Sequence, residues 1–163
     1  MPYLNAWASG DRSVLLHFAD DVLAMFMRHR QLDDDAREAG GLLLGSVHHV
    51  SLLITTATVP TERDKRHRFQ FERLPFGHRA IAQTAWRASG GLIRYLGEWH
   101  THPEDIPHPS LLDRSEWIRL ASGRLDRRPM LAVIVGRTQL HVELVCREGK
   151  RIIMKPMGEE TTD

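Results

Sequence analysis

The sequence predicts an α/β fold, with a mixed β-sheet flanked by three helices in a single domain. Three observations carry that expectation. At 163 residues the chain has the length of one ordinary domain and can bury roughly 70% of its extended surface without cross-links. Segments of strand character alternate with segments whose apolar residues recur at helical spacing. Met130 to Val135 is apolar without a break, as an inner strand covered on both faces should be.

Taken in order, Ser13 to Phe18 reads as a short strand. Asp20 and Asp21 open a helix whose Val22, Leu23, Phe26 and Met27 share one stripe. Gly40-Gly41 leads into Leu42-Leu43-Leu44, and Val50 to Val59 follows as a β-branched run, with His48-His49 at the hairpin tip between them. A second helix is expected from about Gly77 to Ser89, with Ile81, Ala82, Ala85 and Trp86 apolar and Gly90-Gly91 ending it. Leu92 to Trp99 returns as a strand. A proline-rich loop then precedes a third helix, from Ser110 to about Ala121, carrying Leu111, Trp117, Ile118 and Ala121. Trp86, Trp99 and Trp117 stand at spacings that suit core packing. Beyond the Met130 strand, Leu140, Val142, Leu144 and Cys146 alternate with His141, Glu143, Val145 and Arg147, a half-buried edge pattern. That alternation makes Cys146 a small core residue rather than a nucleophile. Arg151 to Met157 offers one more strand, and the polar end of the chain is expected to fray.

Composition excludes several functions. Lysine and arginine number 22 against 21 acidic residues, a net charge of +1, which gives no overall field for gripping nucleic acid or anionic lipid. The single cysteine, Cys146, rules out an intrachain disulfide scaffold. Met1 to Trp7 lacks the basic start and apolar run of a signal peptide, and no apolar stretch is long enough to span a bilayer. The expectation is a soluble, cytoplasmic protein with neither a nucleic acid nor a membrane as partner. Ten histidines are the anomaly.

Two of those histidines carry chemistry. The strand from Leu92 ends in Trp99-His100-Thr101-His102-Pro103. Residues i and i+2 of a strand share a face, so His100 and His102 project side by side, about 7 Å apart along the backbone, and Thr101 points away. Two imidazoles so placed converge on one metal ion. Seven residues separate His102 from Ser110, and Asp113 lies three positions further, with Pro103, Pro107 and Pro109 stiffening the loop. Ser110-Leu111-Leu112-Asp113 has the shape of a helix start with an acid in its first turn. His100, His102 and Asp113 make three N/O ligands and leave a fourth tetrahedral position for water, the arrangement of catalytic zinc. The same Ser-x-x-Asp is also an ordinary capping box that needs no metal. The joint HxH-x7-SxxD pattern arises by chance on the order of a few times per thousand chains of this composition. A general base is available as well. Asp33-Asp34-Asp35 reads as a solvated loop, but Glu38 stands at the entrance to Gly40-Gly41-Leu42-Leu43-Leu44-Gly45, where a carboxylate can face a cleft.

Glu38-Ala39-Gly40-Gly41-Leu42-Leu43-Leu44-Gly45, His100-Thr101-His102-Pro103 and Pro109-Ser110-Leu111-Leu112-Asp113 together resemble the motif of the JAMM (JAB/MPN+) metalloproteases, and none of its five defining positions departs from the pattern. The resemblance extends over roughly Ser13 to Arg147. It implies a JAB/MPN-type mixed sheet flanked by helices, cytidine-deaminase-like, as one domain over 1–163 with its core at about 13–157 and a flexible tail at 158–163. It also implies zinc-dependent hydrolysis of peptide or isopeptide bonds at the C-terminus of ubiquitin or a ubiquitin-like modifier. His100, His102 and Asp113 would hold the zinc. Glu38 would carry the proton from water to the departing amine, and the Ser110 hydroxyl would meet the oxyanion. The compact form, with Gly97-Glu98-Trp99 ahead of the first histidine and Trp117 beyond, is similar to the JAMM deconjugases of bacterial CBASS antiphage operons. Those act on a CD-NTase, a cyclic-oligonucleotide synthase, joined to another protein. A sulfur-carrier or small ubiquitin-like protein peptidase would use the same site, and a RadC-type nucleic-acid enzyme has a similar His and Asp pattern but suits a more basic surface. A non-catalytic MPN scaffold should have lost ligands, and this chain keeps them all.

Two other features stand near these motifs. Arg63, Lys65, Arg66, His67 and Arg68 form a basic loop, balanced by Glu62 and Asp64, that is either solvated or a rim for an acidic partner. His108 lies in the proline-rich loop and is expected to be exposed.

Overall fold

A computed structural model describes residues 3–74 and 77–158. In chain order the elements are β1 (Ala6–Ser9), β2 (Leu15–Phe18), α1 (Asp20–Arg28), β3 (Gly40–His48), β4 (Ser51–Ala57), β5 (Lys65–Arg66), β6 (Phe71–Glu72), α2 (His78–Ala88), β7 (Arg94–Thr101), α3 (Leu111–Ser122), β8 (Met130–Val135), β9 (Leu140–Val145) and β10 (Arg151–Pro156). The expected α/β architecture with a mixed sheet is present, and the sheet closes on itself. Its order is β1-β10-β9-β8-β7-β3-β4-β2, with β2 returning to β1. Neighbours run antiparallel except at β2–β4 and β7–β8, which are parallel. Each strand of the ring therefore has a partner on both sides. β5 and β6 form a separate two-stranded hairpin. Among the described residues no helix is long and apolar enough to cross a membrane.

The period-2 alternation of β8 divides the interior. Leu131, Val133 and Val135 join a core built from β1, β2, β3, β7, β9 and the α1 residues Val22, Leu23, Met25 and Phe26. Met130, Ala132 and Ile134 face the other way and pack under Trp117 and Ala121 of α3. β8 is thus covered on both faces, as its unbroken apolar run requires. A bulge shifts the register between β3 and β7, pairing Leu43 with Gly97 and Leu44 with Tyr95. It lets Leu96 and Trp99, three positions apart, both reach the core. Glu98 and His100 are left on the face that lines a cleft. Gly97 lies against the backbone of β8, where an added Cβ would come within 1.8 Å of the Leu131 carbonyl oxygen. Gly97→Ala is expected to destabilise the protein by more than the roughly 1–3 kcal/mol of ordinary overpacking, because backbone cannot rotate aside as a side chain can. A lowered urea midpoint checks it.

Four expectations are corrected. The core begins ahead of position 13: Tyr3 and Trp7 belong to the main cluster, and the Tyr3 hydroxyl donates to the Gly136 carbonyl at 2.6 Å. β1 spans only four residues, too few to display a period. β9 is not an edge, since it lies between β8 and β10. Its Glu143 is fully buried because Arg151 donates to both carboxylate oxygens, at 2.8 and 2.6 Å, and His141 approaches at 2.5 Å. Burial pushes the Glu143 pKa up, but these bonds outweigh it and hold the carboxylate below its ordinary range. Cys146 is half-buried, one position past β9. Trp99 and Trp117 are buried as expected, but Trp86 is 54% exposed. The α2 periodicity is real, yet the helix rests on β7 and β3 with Ala82 and Ala85 half-buried and leaves Ile81 and Trp86 outside. The expected tail lies, from residue 159 onward, outside the described residues.

Candidate active site

Thr101 organises the site from behind. Its side chain is fully buried, accepts the Ala39 amide at 2.9 Å and donates to the Gln31 side-chain oxygen at 2.8 Å. Its own amide donates to the Ala39 carbonyl at 2.8 Å, and Gly40 pairs with His100. This double tie fixes β3 against β7 so that Glu38, just before β3, comes beside His102. The alternation of the strand does the rest, turning His100 and His102 together to the opposite face. The amide of His102 also donates to the Val135 carbonyl, extending the parallel pairing with β8.

α3 delivers the third member of the group. Ser110 Oγ accepts the Asp113 amide at 3.1 Å while Asp113 Oδ2 accepts the Ser110 amide at 2.8 Å, so the capping box is formed. The same carboxylate faces the histidines. Asp113 Oδ1 stands 3.2 Å from His100 Nε2, and Oδ2 stands 3.2 Å from His102 Nε2. The two Nε2 atoms are 3.1 Å apart. Capping and convergence, alternatives in the sequence, hold at once in the structure.

His100, His102 and Asp113 form a group that could hold a metal ion. The two Nε2 atoms, 3.1 Å apart, match the edge of about 3.3 Å of a tetrahedron whose bonds are about 2.0–2.1 Å, and one or the other Asp113 oxygen stands 3.2 Å from each of them. Two imidazoles and a carboxylate are also the donor types zinc takes. The residues present fit the ion. Burial pushes the His102 pKa down, but the carboxylates of Asp113, Glu38 and Glu104 outweigh it and raise it overall. For Asp113, burial favours the neutral acid and the bonds to His100 and His102 overcome it, holding the carboxyl well below its usual range. The pocket is built to keep this carboxylate charged.

Glu38 is in the opposite condition. It is 4% exposed, and its side-chain Oε1 lies 3.9 Å from His102 Nε2. Burial pushes its pKa up to about 8; His102 opposes the rise, and the charges of Asp113 and Glu104 add to it. One site therefore contains a carboxylate held charged and another that favours its proton, the usual arrangement for acid–base work. The Glu38 backbone is gripped by the basic loop: its amide donates to the His67 carbonyl at 2.6 Å, and Arg66 Nε donates to its carbonyl at 2.9 Å. That loop is thus partly structural, where the sequence offered a solvated loop or a rim. Asp64, read as a charge balancing it, is buried and holds the two ends of the hairpin segment by accepting the amides of Thr61 and Leu74 at 2.7 and 2.8 Å. It also accepts from His78 Nε2 at 2.6 Å.

The group opens into a cleft of about 340 Å³ between the β5–β6 hairpin and α3. Phe71 of β6 and Leu112 and Leu120 of α3 give it apolar walls. Arg73 donates to both oxygens of Glu98, at 2.9 and 2.8 Å, along its floor. Ser110 lies on the rim, exposed. All five residues singled out in the sequence, Glu38, His100, His102, Ser110 and Asp113, are brought together. His108 is exposed as expected, 3.8 Å from Glu104. The sequence reading missed Glu104, whose carboxylate meets His102 Nδ1 at 2.9 Å, and Gln31, which supports Thr101. The position of Glu104 two residues after His102 was the only signal for the first; nothing local marks the second.

Comparison with known proteins places the chain among relatives. The family described as prokaryotic homologs of the JAB domain matches residues 20–147. A Pseudomonas aeruginosa protein named CD-NTase/cGAS isopeptidase is 57% identical over 157 residues, covering 96% of this chain and 99% of that one. Proteins of the same name from Escherichia coli and Vibrio cholerae are 37% and 36% identical, covering 75% and 71% of this chain and 76% and 72% of theirs. The solution structure of a Desulfitobacterium hafniense protein superposes with a TM-score of 0.60 at 18% identity, covering 90% of this chain and 97% of that one, which shows a shared fold.

Proposed function

Since the chain belongs to the family of prokaryotic homologs of the JAB domain, we propose that it is a zinc-dependent isopeptidase that hydrolyses the bond between the C-terminus of a CD-NTase and the protein to which it has been joined. The observation that carries this reading is the convergence of His100, His102 and Asp113 beside a buried, proton-favouring Glu38 at the head of a cleft. The names of the relatives support the substrate class. In this reading the chain is one cytoplasmic JAB/MPN domain of cytidine-deaminase-like architecture, acting in CBASS antiphage defence.

His100 Nε2, His102 Nε2 and an Asp113 oxygen would hold the zinc, which supplies the Lewis acidity that makes water a nucleophile at about neutral pH and polarises a carbonyl. The protein's own groups do the rest. Glu38 takes the proton of the attacking water on a carboxylate oxygen and hands it to the nitrogen that leaves, so the products are a carboxylate and an amine. Its carboxylate lies beside His102, and its backbone bonds to Arg66 and His67 hold it in reach. Ser110 Oγ is an acceptor toward the Asp113 amide, which leaves its hydroxyl proton to donate to the oxyanion of the tetrahedral intermediate. The cleft receives an extended tail, with Phe71 on one side and Leu112 on the other.

The test is direct. Purified protein should release a CD-NTase from a conjugate joined through its C-terminus, lose that activity on treatment with a zinc chelator, and regain it when zinc alone is returned. Undiminished cleavage in chelator-treated protein shown by elemental analysis to lack metal would overturn the reading.

A further inference from the structure

We propose that Glu104 is a positioning residue for His102, fixing the imidazole tautomer that leaves Nε2 bare toward the metal. Glu104 Oε1 lies 2.9 Å from His102 Nδ1. A carboxylate only accepts, so Nδ1 is the donor in this pair. A neutral imidazole carries one N–H, and placing it on Nδ1 leaves the lone pair on Nε2. Nε2 is the atom that faces His100 Nε2 at 3.1 Å and Asp113 Oδ2 at 3.2 Å. Without that acceptor the ring is free to carry its proton on Nε2, the form that imidazoles favour in water and that blocks a metal bond.

Glu104 is held for this purpose on both sides. The Pro103 carbonyl accepts from Arg137 Nη2 at 3.0 Å, and the Glu104 carbonyl accepts the Arg137 amide at 2.7 Å. The next residue, Asp105, accepts the amides of Thr138 and Gln139 through its carbonyl, each at 3.2 Å. Arg137 is itself fixed, its carbonyl accepting from Arg30 Nη1 at 3.0 Å. The loop sits so close to the β8–β9 turn that a Cβ on Gly136 would come within 2.5 Å of Pro107 Cδ. The proline-rich loop is therefore clamped to a turn of the closed sheet, and its carboxylate is aimed at His102 before any ion arrives. Outer carboxylates that accept from a ligating histidine orient the ring and raise its basicity, and their loss weakens metal affinity by about 10–100-fold.

The inference rests on the zinc reading of the site, and the experiment separates the two. Zinc affinity is measured by competition with a chromophoric chelator for the unaltered protein, Glu104→Ala and Glu104→Gln, with the unfolding midpoint of each zinc-free protein recorded alongside. Glu104→Ala should bind zinc about 10–100-fold more weakly with its zinc-free midpoint unchanged. Glu104→Gln should recover most of that loss, because an amide oxygen also accepts from Nδ1–H. Unchanged affinity in Glu104→Ala would overturn the inference and leave the zinc reading standing. Equal weakening in Ala and Gln would assign the effect to charge and overturn it too. Absence of zinc binding in the unaltered protein would overturn the zinc reading, and this inference with it.

Discussion

Glu38→Gln should abolish cleavage, by about 10²–10⁴-fold, and at the same time make the zinc-free protein more stable at alkaline pH. The two effects have one cause. The carboxylate is buried, and its pKa in the folded chain is pushed from an ordinary 4.5 up to about 8. Between those values the folded protein holds a proton that the unfolded chain has released, so stability declines as pH rises through that window. The burden is absent at low pH and fully present above about pH 8. Glutamine has nearly the same shape and no charge to desolvate, so its advantage should grow across the window to a few kcal/mol. It cannot take a proton from water, and catalysis is lost while the three metal ligands stay intact. Denaturant titrations at about pH 5 and pH 9, alongside turnover, check both halves. Near-normal turnover would remove Glu38 from the mechanism, and equal stability at the two pH values would mean its carboxylate is hydrated.

Asp113→Ala should also abolish cleavage, by emptying the site instead. It deletes the one anionic ligand of three, so zinc content after dialysis should fall from about one per chain to near zero. Because the same carboxylate accepts the Ser110 amide at the start of α3, alanine also removes half of a capping box, at a cost of about 0.5–2 kcal/mol. Asp113→Asn separates the two losses: its side-chain oxygen can still accept from Ser110, while its charge is gone. The asparagine variant should therefore melt nearer to the unaltered protein and still bind zinc poorly. Stoichiometric zinc in Asp113→Ala would take Asp113 out of the site.

The candidate ligand set was legible in the sequence because each part of it is local. His100 and His102 share a face by strand alternation alone, and Asp113 is placed by a helix start that Ser110 marks. Glu38 was legible as a candidate through the glycines and leucines that follow it. What escaped depends on partners distant in sequence. Glu143 carries a charge and so read as outward-facing, but Arg151, on the neighbouring strand, lets it be buried. Trp86 has the right helical phase, and phase says where a residue points on its helix but not whether anything lies opposite. β1 pairs with both β10 and β2, and four residues give no sign of either pairing. Glu104 acts only because the β8–β9 turn clamps its loop.

The closed ring of eight strands bears on association with other chains. An open sheet offers two unpaired borders on which foreign strands can zip up, and proteins usually defend them with charges, prolines or bulges. Among the described residues those borders are consumed by pairing β1 with β2, so the large sheet presents no open edge strand there. The described residues keep unpaired strand borders on the β5–β6 hairpin, and Phe71 and Glu72 of β6 line the cleft. Among the described residues, the border open to a foreign strand thus lies at the cleft, where the proposed reaction would meet an extended chain.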